Sequence, residues 1–318
     1  MDRPSRITLT LHPGYKNPMT IRIGTSECDG TFHSQGRALK TVLDRLPSLA
    51  PVAVLESKSA SVDNADRLHA GEIAFGFMAS NWIGRARNGE APFAQPIDLR
   101  MAAPMNAGPL FFIAPAAAPI RTVRDLRRRR VAVGLRTSGM VEHVRAIFGA
   151  LGLSLSDFTP VYLDFAAGAD ALAAGEVDAQ FQCPIPNQVM TDLAAHVVLQ
   201  VIPYGPGEIE TVMRAVPHYR ATVIRKHAIC GLEADVAQIA VVNVLATHAR
   251  VPEPMVHDLV AAVIAAADEL PCLNPLFTGL QDLFAPLRQQ GRTALEFGGV
   301  PLHPGAVQAY REAGLLFP

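Results

Sequence analysis

The chain has 318 residues, of which 49% are hydrophobic and 18% are charged. At about 150 residues per domain this length predicts two domains with sizeable cores, and the composition excludes an intrinsically disordered chain. The 28 Lys and Arg nearly balance the 29 Asp and Glu, and the formal charge of −1 gives no net field that attracts nucleic acid or an anionic membrane.

Residues 1–20 have a basic start but lack the apolar core of about 7–15 residues that a secretory signal needs. As written, the chain is therefore expected in the cytoplasm, or in the periplasm if its start is misassigned or a leader was removed. Its longest apolar stretches are shorter than the roughly 20 helical residues that cross a bilayer, so no membrane span is expected.

Strand and helix patterns alternate along the chain from Thr20 onward. Strands are predicted at Thr20–Ile23, Val52–Leu55, Ile73–Met78, Leu110–Ala114, Arg130–Gly134, Val161–Leu163, Ala179–Gln182, Val197–Ile202 and Ile239–Leu245. Helices are predicted at Phe32–Leu43, Ser61–Ala70, Val123–Arg128, Val144–Leu151, Ala166–Ala174 and Pro254–Leu270. This alternation predicts an α/β fold with largely parallel sheets.

Two sequence features occur twice, which predicts two similar halves. A short strand, a polar loop and a helix occur around Gly24–Thr31 and again around Leu135–Gly139. A short helix followed by Gly-Glu and a strand occurs at Gly71 and again at Gly175, where glycine suits the left-handed end of a helix.

The predicted first lobe comprises residues 19–108 and 245–318, the second comprises 109–244, and 1–18 form an extension. The chain is expected to cross between lobes in the Pro-rich 104–119 and the loop-rich 203–232.

A set of short motifs occurs in a fixed order along residues 19–314. The motifs are Ile23-Gly24-Thr25 with Gly30-Thr31-Phe32, Gly71-Glu72-Ile73-Ala74-Phe75-Gly76, Val123-Arg124-Asp125-Leu126, Arg130-Val131-Ala132-Val133-Gly134, Gly175-Glu176-Val177-Asp178-Ala179 and Pro301-Leu302-His303-Pro304-Gly305-Ala306. In the order and spacing of these motifs the sequence resembles TAXI-type solute receptors of tripartite ATP-independent periplasmic (TRAP) transporters. The resemblance implies a type II periplasmic-binding-protein fold, in which two α/β lobes joined by crossing strands close on one small molecule. It also implies TRAP permease subunits as partners.

In such α/β folds ligands lie beyond the carboxyl ends of strands, where helix N-termini present N–H groups to an anion. We therefore expect the two counterpart loops and their equivalents to line the site. The candidate ligand-binding residues are Thr25, Ser26, Cys28, Asp29, Thr31, Phe32, Ser61, Ser80, Asn81, Trp82, Arg136, Thr137, Ser138, Gln182, Cys183 and Asn187.

Several of these residues have a second interpretation. Arg136 either grips a ligand carboxylate through its planar fork or is an ordinary exposed loop arginine. Ser26 and Asp29 either contact ligand or cap the next helix. Trp82 either stacks on a planar ligand or packs in the protein. Cys28 and Cys183 are inert thiols unless one of them is a nucleophile.

The four cysteines form no CxxC pair and the ten histidines form no HExxH or HxH group, so no metal site and no cofactor are expected. The favoured function is a binding protein for a small, carboxylate-bearing organic anion or amino acid. Two alternatives remain. One is a cytoplasmic enzyme on the same fold, a dehydratase or decarboxylase of a small carboxylate, since chorismate-dehydratase-like and dihydroxyphthalate-decarboxylase-like proteins resemble type II binding proteins and lack a leader. The other is a ligand sensor.

Overall fold

The computed structural model describes residues 20–317 except residues 29, 50, 137, 183, 184 and 186. The predicted extension, 1–18, therefore lies outside the described residues. The chain folds into two compact units. The first unit is built from two segments, one that ends at Asn106 and one that begins at Val242, and the second unit runs from Ala107 to Val241.

The strands of the described residues, in chain order, are β1 Ile21–Gly24, β2 Val52–Leu55, β3 Phe75–Ala79, β4 Leu99–Pro115, β5 Arg130–Ala132, β6 Thr159–Val161, β7 Ala179–Gln182, β8 Leu199–Ile202, β9 Tyr219–Ile224 and β10 Val236–His248. The α-helices are α1 Thr31–Leu43, α2 Ser61–Ala70, α3 Ser80–Asn88, α4 Gly139–Ala150, α5 Phe165–Ala173, α6 Gln188–Ala194, α7 Glu208–Ala215, α8 Glu253–Ala265, α9 Leu270–Leu273, α10 Leu280–Phe284, α11 Leu287–Gln290 and α12 Pro304–Glu312. None of these helices is long and apolar enough to cross a bilayer.

The first unit contains a sheet of order β2–β1–β3–β10. β1 runs parallel to β2 and β3, whereas β10 pairs antiparallel with β3 through residues 243–247. Its core includes the fully buried Leu39 of α1 and Phe75 and Phe77 of β3. α12 packs closely on α8, because a Cβ at Gly305 would stand only 2.2 Å from the carbonyl oxygen of Glu253.

The second unit repeats the parallel arrangement with different strands. β5 runs parallel to β6 and β7, and the second half of β4 pairs antiparallel with β7 and β8. Phe112 of β4 lies in an aromatic core, with ring centroids 5.6 Å from Phe148 and 4.9 Å from Phe181. The α/β fold with two units and parallel strands in each, joined by strands that pass from one to the other, is therefore confirmed.

The structure corrects several predicted elements. Leu110–Ala114 lies near the carboxyl end of a much longer strand, β4, which is buried along nearly its whole length despite containing three prolines. The segment 203–232 is not a crossing, because it forms α7 and β9 within the second unit. The chain passes between the units inside β4, within the predicted crossing 104–119, and inside β10 rather than in 203–232.

Two predicted helices are shorter than expected. Val123–Arg128 is a single 3₁₀ turn at Val123–Leu126, and the predicted helix at 254–270 ends as α8 at Ala265. Both segments have helical apolar spacing, but the chain must turn after each one to reach the next element.

Candidate functional site

A buried asparagine connects the three parallel strands of the first unit near their carboxyl ends. The amide of Asn64 donates to the carbonyl oxygens of Thr25 and Phe77 at 2.8 and 2.9 Å, and its Oδ1 accepts from Ser57 Oγ at 2.6 Å. Thr25 itself is fully buried and donates from Oγ1 to the carbonyl oxygen of Leu55 at 3.0 Å. The loop after β1 is therefore held firmly at its first residue.

Ser26, the next residue, acts on helix α1. Its Oγ accepts a hydrogen bond from the backbone N–H of His33 at 3.2 Å, so the capping interpretation of Ser26 describes a contact that the structure contains. The N-cap residue of α1 is Gly30, which offers no side-chain cap. Cys28 is exposed in the same loop, and Asp29 lies outside the described residues.

The first turns of α1 contain one core residue and one unsatisfied polar group. Phe32 is buried and stacks on Phe77 with ring centroids 5.6 Å apart, so its ring belongs to the core, while Thr31 is half-buried. Gln35 is fully buried and donates from Nε2 to Asn106 Oδ1 at 3.1 Å, and its Oε1 has no partner among the described residues. The sequence analysis missed Gln35 and Asn106, although a glutamine on the apolar face of α1 was a detectable signal.

Further predicted residues lie at the start of α2 and where β3 passes directly into α3. Ser61 Oγ accepts from the backbone N–H of Ala79 at 3.1 Å, so this hydroxyl is used within the unit. Ser80 is buried. The Oδ1 of Asn81 is buried and has no partner among the described residues, which leaves an acceptor at the start of α3.

Trp82 packs against its own unit. Its ring meets Phe93 edge-on at 6.3 Å between centroids, and the guanidinium of Arg85 lies 4.6 Å from its ring centroid. The packing interpretation of Trp82 therefore accounts for the contacts of this ring.

In the second unit a cation follows the carboxyl end of β5. Arg136 is exposed, and its guanidinium carbon lies 3.8 Å above the centroid of the Tyr162 ring. No carboxylate of the described residues lies within ion-pair distance of it. Such stacking orients the planar fork and leaves its edge, where the N–H donors point, open to a ligand.

The other residues of this loop form a turn. Ser138 donates from its backbone N–H and from Oγ to the carbonyl oxygen of Leu135, at 2.9 and 2.7 Å. Ser138 is the N-cap residue of α4 but makes no side-chain cap. Thr137 lies outside the described residues.

The end of β7 supplies amide groups. Gln182 is fully buried and accepts from Asn187 Nδ2 at 3.2 Å, while its own Nε2 has no partner among the described residues. Asn187 Oδ1 accepts from the backbone N–H of Met190 at 2.8 Å and so caps α6. Cys183, between them, lies outside the described residues.

A separate polar cluster lies deeper in the second unit. His143 Nδ1 and the Tyr219 hydroxyl are 2.6 Å apart, and both side chains are buried. Burial, assisted by the nearby His218, lowers the pKa of His143 from 6.5 to about 3. His143 is therefore neutral at ordinary pH and serves as a structural hydrogen-bonding group.

A cavity of about 730 Å³ opens elsewhere in the second unit, beside the turn Gly205–Gly207. Its two charged lining groups, Arg124 and Glu208, form an ion pair with each other. Glu208 also accepts from the backbone N–H of Gly205 at 2.7 Å. Because these charges are mutually satisfied, this cavity offers less to an anion than Arg136 does.

The sequence matches the model of the NMT1-like family over residues 23–314. The chain belongs to the NMT1-like family.

Solved structures with the same architecture include a putative periplasmic sulfonate-binding protein, SsuA, from Methylobacillus flagellatus KT. It is 14% identical over 93% of this chain and 95% of its own, with a TM-score of 0.56. A TctC solute-binding protein from Polaromonas, solved with no ligand, is 18% identical over 93% of this chain and 96% of its own, with a TM-score of 0.53. At these identities the likeness shows the fold, that of periplasmic binding proteins.

Within this family fold, each unit brings part of the predicted set together. In the first unit Thr25 and Ser26 lie at the end of β1, and Ser80 and Asn81 lie at the end of the adjacent β3. In the second unit Arg136 and Ser138 follow β5, and Gln182 ends the adjacent β7. Phe32, Ser61 and Trp82 are occupied by contacts inside the first unit.

Proposed function

We propose that this chain is a solute-binding receptor that holds a small organic anion or amino acid and delivers it to a TRAP-type transporter. In this proposal the two units are lobes that close on the ligand, with contacts from the loops after β1 and β5. The periplasmic-binding-protein fold supports a receptor role, and the SsuA neighbour is itself described as a sulfonate-binding protein.

The observation that carries the proposal is Arg136. It is an exposed cation beyond the carboxyl end of a parallel strand, held flat by an aromatic ring and without a carboxylate partner among the described residues. Arg130, also after a turn of the second unit, is by contrast paired with Asp178 at 2.9 Å. A guanidinium oriented in this way matches two oxygens of a ligand carboxylate or sulfonate.

Binding is tested by a thermal-shift screen of small carboxylates, sulfonates and amino acids, with each hit measured by calorimetry. Arg136→Ala is expected to weaken binding of an anionic hit by at least tenfold, because a charge-assisted bidentate contact is lost. Arg145→Ala is the matched control, since it removes an exposed arginine on α4 of the same unit. Equal affinity in the wild type and Arg136→Ala would remove Arg136 from the site.

Analysis of each hit for product after prolonged incubation separates receptor from enzyme. We expect recovery of unchanged ligand, and turnover would refute the pure receptor. Transport coupling is tested by uptake of the labelled hit in membrane vesicles, where accumulation driven by an ion gradient supports TRAP-type delivery. A requirement for ATP hydrolysis would refute that delivery and leave the binding role standing.

A further inference from the structure

The Arg136 platform rests on a second strand that the sequence analysis did not connect with it. β5 and β6 run parallel with Ala132 opposite Val161. Tyr162 is the first residue after β6, and Arg136 lies in the loop after β5. Both loops therefore leave the same edge of the sheet, and the ring of Tyr162 lies 3.8 Å from the guanidinium carbon of Arg136.

This stacking uses the face of the guanidinium and none of its donors. No hydrogen bond joins the Arg136 side chain to any other described residue. Tyr162 therefore limits the orientations of the arginine while all of its N–H groups stay open to a ligand. A cation held in this way loses less side-chain entropy on binding an anion than an unrestrained one does.

The charge of the loops around this platform is low. The loops after β5, β6 and β7, residues 133–138, 162–164 and 183–187, contain Arg136 as their one cation. Asp164, their one acid, caps α5 by accepting the backbone N–H of Ala167 at 2.8 Å. A second negative charge on the ligand would have no positive partner in these loops, so they favour a single charge.

The neighbour of Arg136 in the chain is apolar. Leu135 is 52% exposed and gives an apolar surface next to the cation in the chain. A ligand whose anionic group engages Arg136 can cover this leucine with a hydrocarbon portion.

We propose that Tyr162 is the positioning residue of an anion platform formed by Leu135, Arg136 and Tyr162, and that its ligand is an amphiphilic monoanion, a short-chain alkyl carboxylate or sulfonate. This inference rests on the proposed receptor function. It adds a positioning residue and narrows the ligand to one charged group attached to an apolar chain.

Calorimetry with hexanoate, hexanesulfonate, acetate, citrate and the uncharged hexanamide tests the ligand class. The wild type is expected to bind hexanoate or hexanesulfonate more tightly than acetate, citrate or hexanamide, and the preferred headgroup distinguishes the two anion types. Tighter binding of citrate or hexanamide, or no binding of either six-carbon anion, overturns the inference. If the broader screen still yields another ligand in that case, the receptor function stands.

Substitutions test the role of Tyr162. Tyr162→Leu is expected to weaken binding of the preferred anion about two- to fivefold, the range of an exposed cation–π contact, while Tyr162→Phe stays within twofold of the wild type. In an Arg136→Gln background, Tyr162→Leu should have no further effect, because Tyr162 acts through Arg136. Equal losses in the two backgrounds, or no loss in a folded Tyr162→Leu protein, overturn the positioning role.

Melting curves show whether each variant folds. Should Tyr162→Leu fail to fold, Arg136→Lys tests the same contact from the other side, because lysine keeps the charge but lacks the planar group that stacks. Arg136→Lys is expected to weaken binding at least fivefold. Unchanged affinity in Arg136→Lys would overturn the platform.

Discussion

The buried His143 predicts a specific dependence of stability on pH. Desolvation, with a smaller contribution from His218, lowers the pKa of His143 from 6.5 to about 3 in the folded protein. Between these values the unfolded chain holds a proton that the folded chain does not, so stability rises with pH across this window and falls as acid is added. At about 1.4 kcal/mol for each unit of pH, acidification from 6.5 to 5 costs about 2 kcal/mol through this one side chain.

Urea unfolding at pH 6.5 and pH 5, followed by circular dichroism, measures this cost. His143→Gln keeps a polar group near the Tyr219 hydroxyl but cannot gain the proton. The free energy of unfolding of His143→Gln is therefore expected to fall by about 2 kcal/mol less than that of the wild type over the interval. His196→Gln is the matched control, because His196 is exposed on the same unit. Hydrogen exchange of α4 reports the same effect locally.

Other buried histidines do not obscure this difference. Desolvation lowers the pKa of His218 to about 4, which acts in the same direction but is present in both proteins. Burial opposes protonation of His257, but hydrogen bonds to Asp258 and Glu312 outweigh it and raise its pKa. The contribution of protonated His257 to the free energy of unfolding is complete below about pH 6.5 and is lost only as the pH rises through the raised pKa of His257. If His143→Gln and the wild type lose equal stability on acidification, His143 is not the buried neutral group described above.

Two further predictions concern the packing that supports the site. Asn64→Ala is expected to cost about 3 kcal/mol, because it removes the side-chain donor of two carbonyl oxygens and the acceptor of Ser57 Oγ. Asn88→Ala at the exposed end of α3 should cost under about 0.5 kcal/mol in the same unfolding assay. A similar cost for both would contradict the role of Asn64. Gly305→Ala is expected to cost about 3 kcal/mol through the clash with the carbonyl of Glu253. Gly149→Ala is the control, because Gly149 on α4 has open space around it, and it should be neutral or stabilising. If Gly305→Ala melts at the same temperature as the wild type, the close approach of α8 and α12 is refuted.

The fold could be predicted largely from local signals. The spacing of apolar residues predicted β2 at Val52–Leu55, α2 at Ser61–Ala70 and β7 at Ala179–Gln182, and the structure has these elements with the same bounds. The long strands β4 and β10 were underestimated, because prolines and polar residues interrupt their patterns while burial from neighbouring strands keeps them extended. The short helices α3, α6 and α7 were missed because one or two turns leave too little periodicity to detect.

The candidate site could be predicted only in part. The position of Arg136 after β5 follows from the strand–loop–helix pattern, but its stacking partner follows β6, further along the chain. Asn64 lies within the predicted helix Ser61–Ala70, whereas its amide joins the end of β1 to β3. Gln35 was not considered, although it meets Asn106 at the middle of β4. In each case the partner is distant in sequence and no local pattern identifies it.

The sequence by itself determined the class of fold, the repetition of strand–loop–helix units and the absence of a strong net charge, because these depend on residue spacing and composition. Only the tertiary structure decided which polar groups are used internally and which remain open. Trp82 is occupied by Phe93 and Arg85, while Arg136 is held flat with its donors open. That distinction depends on which side chains meet after the sheets have formed, since a hydrogen bond or a ring contact needs atoms within a few ångströms of each other.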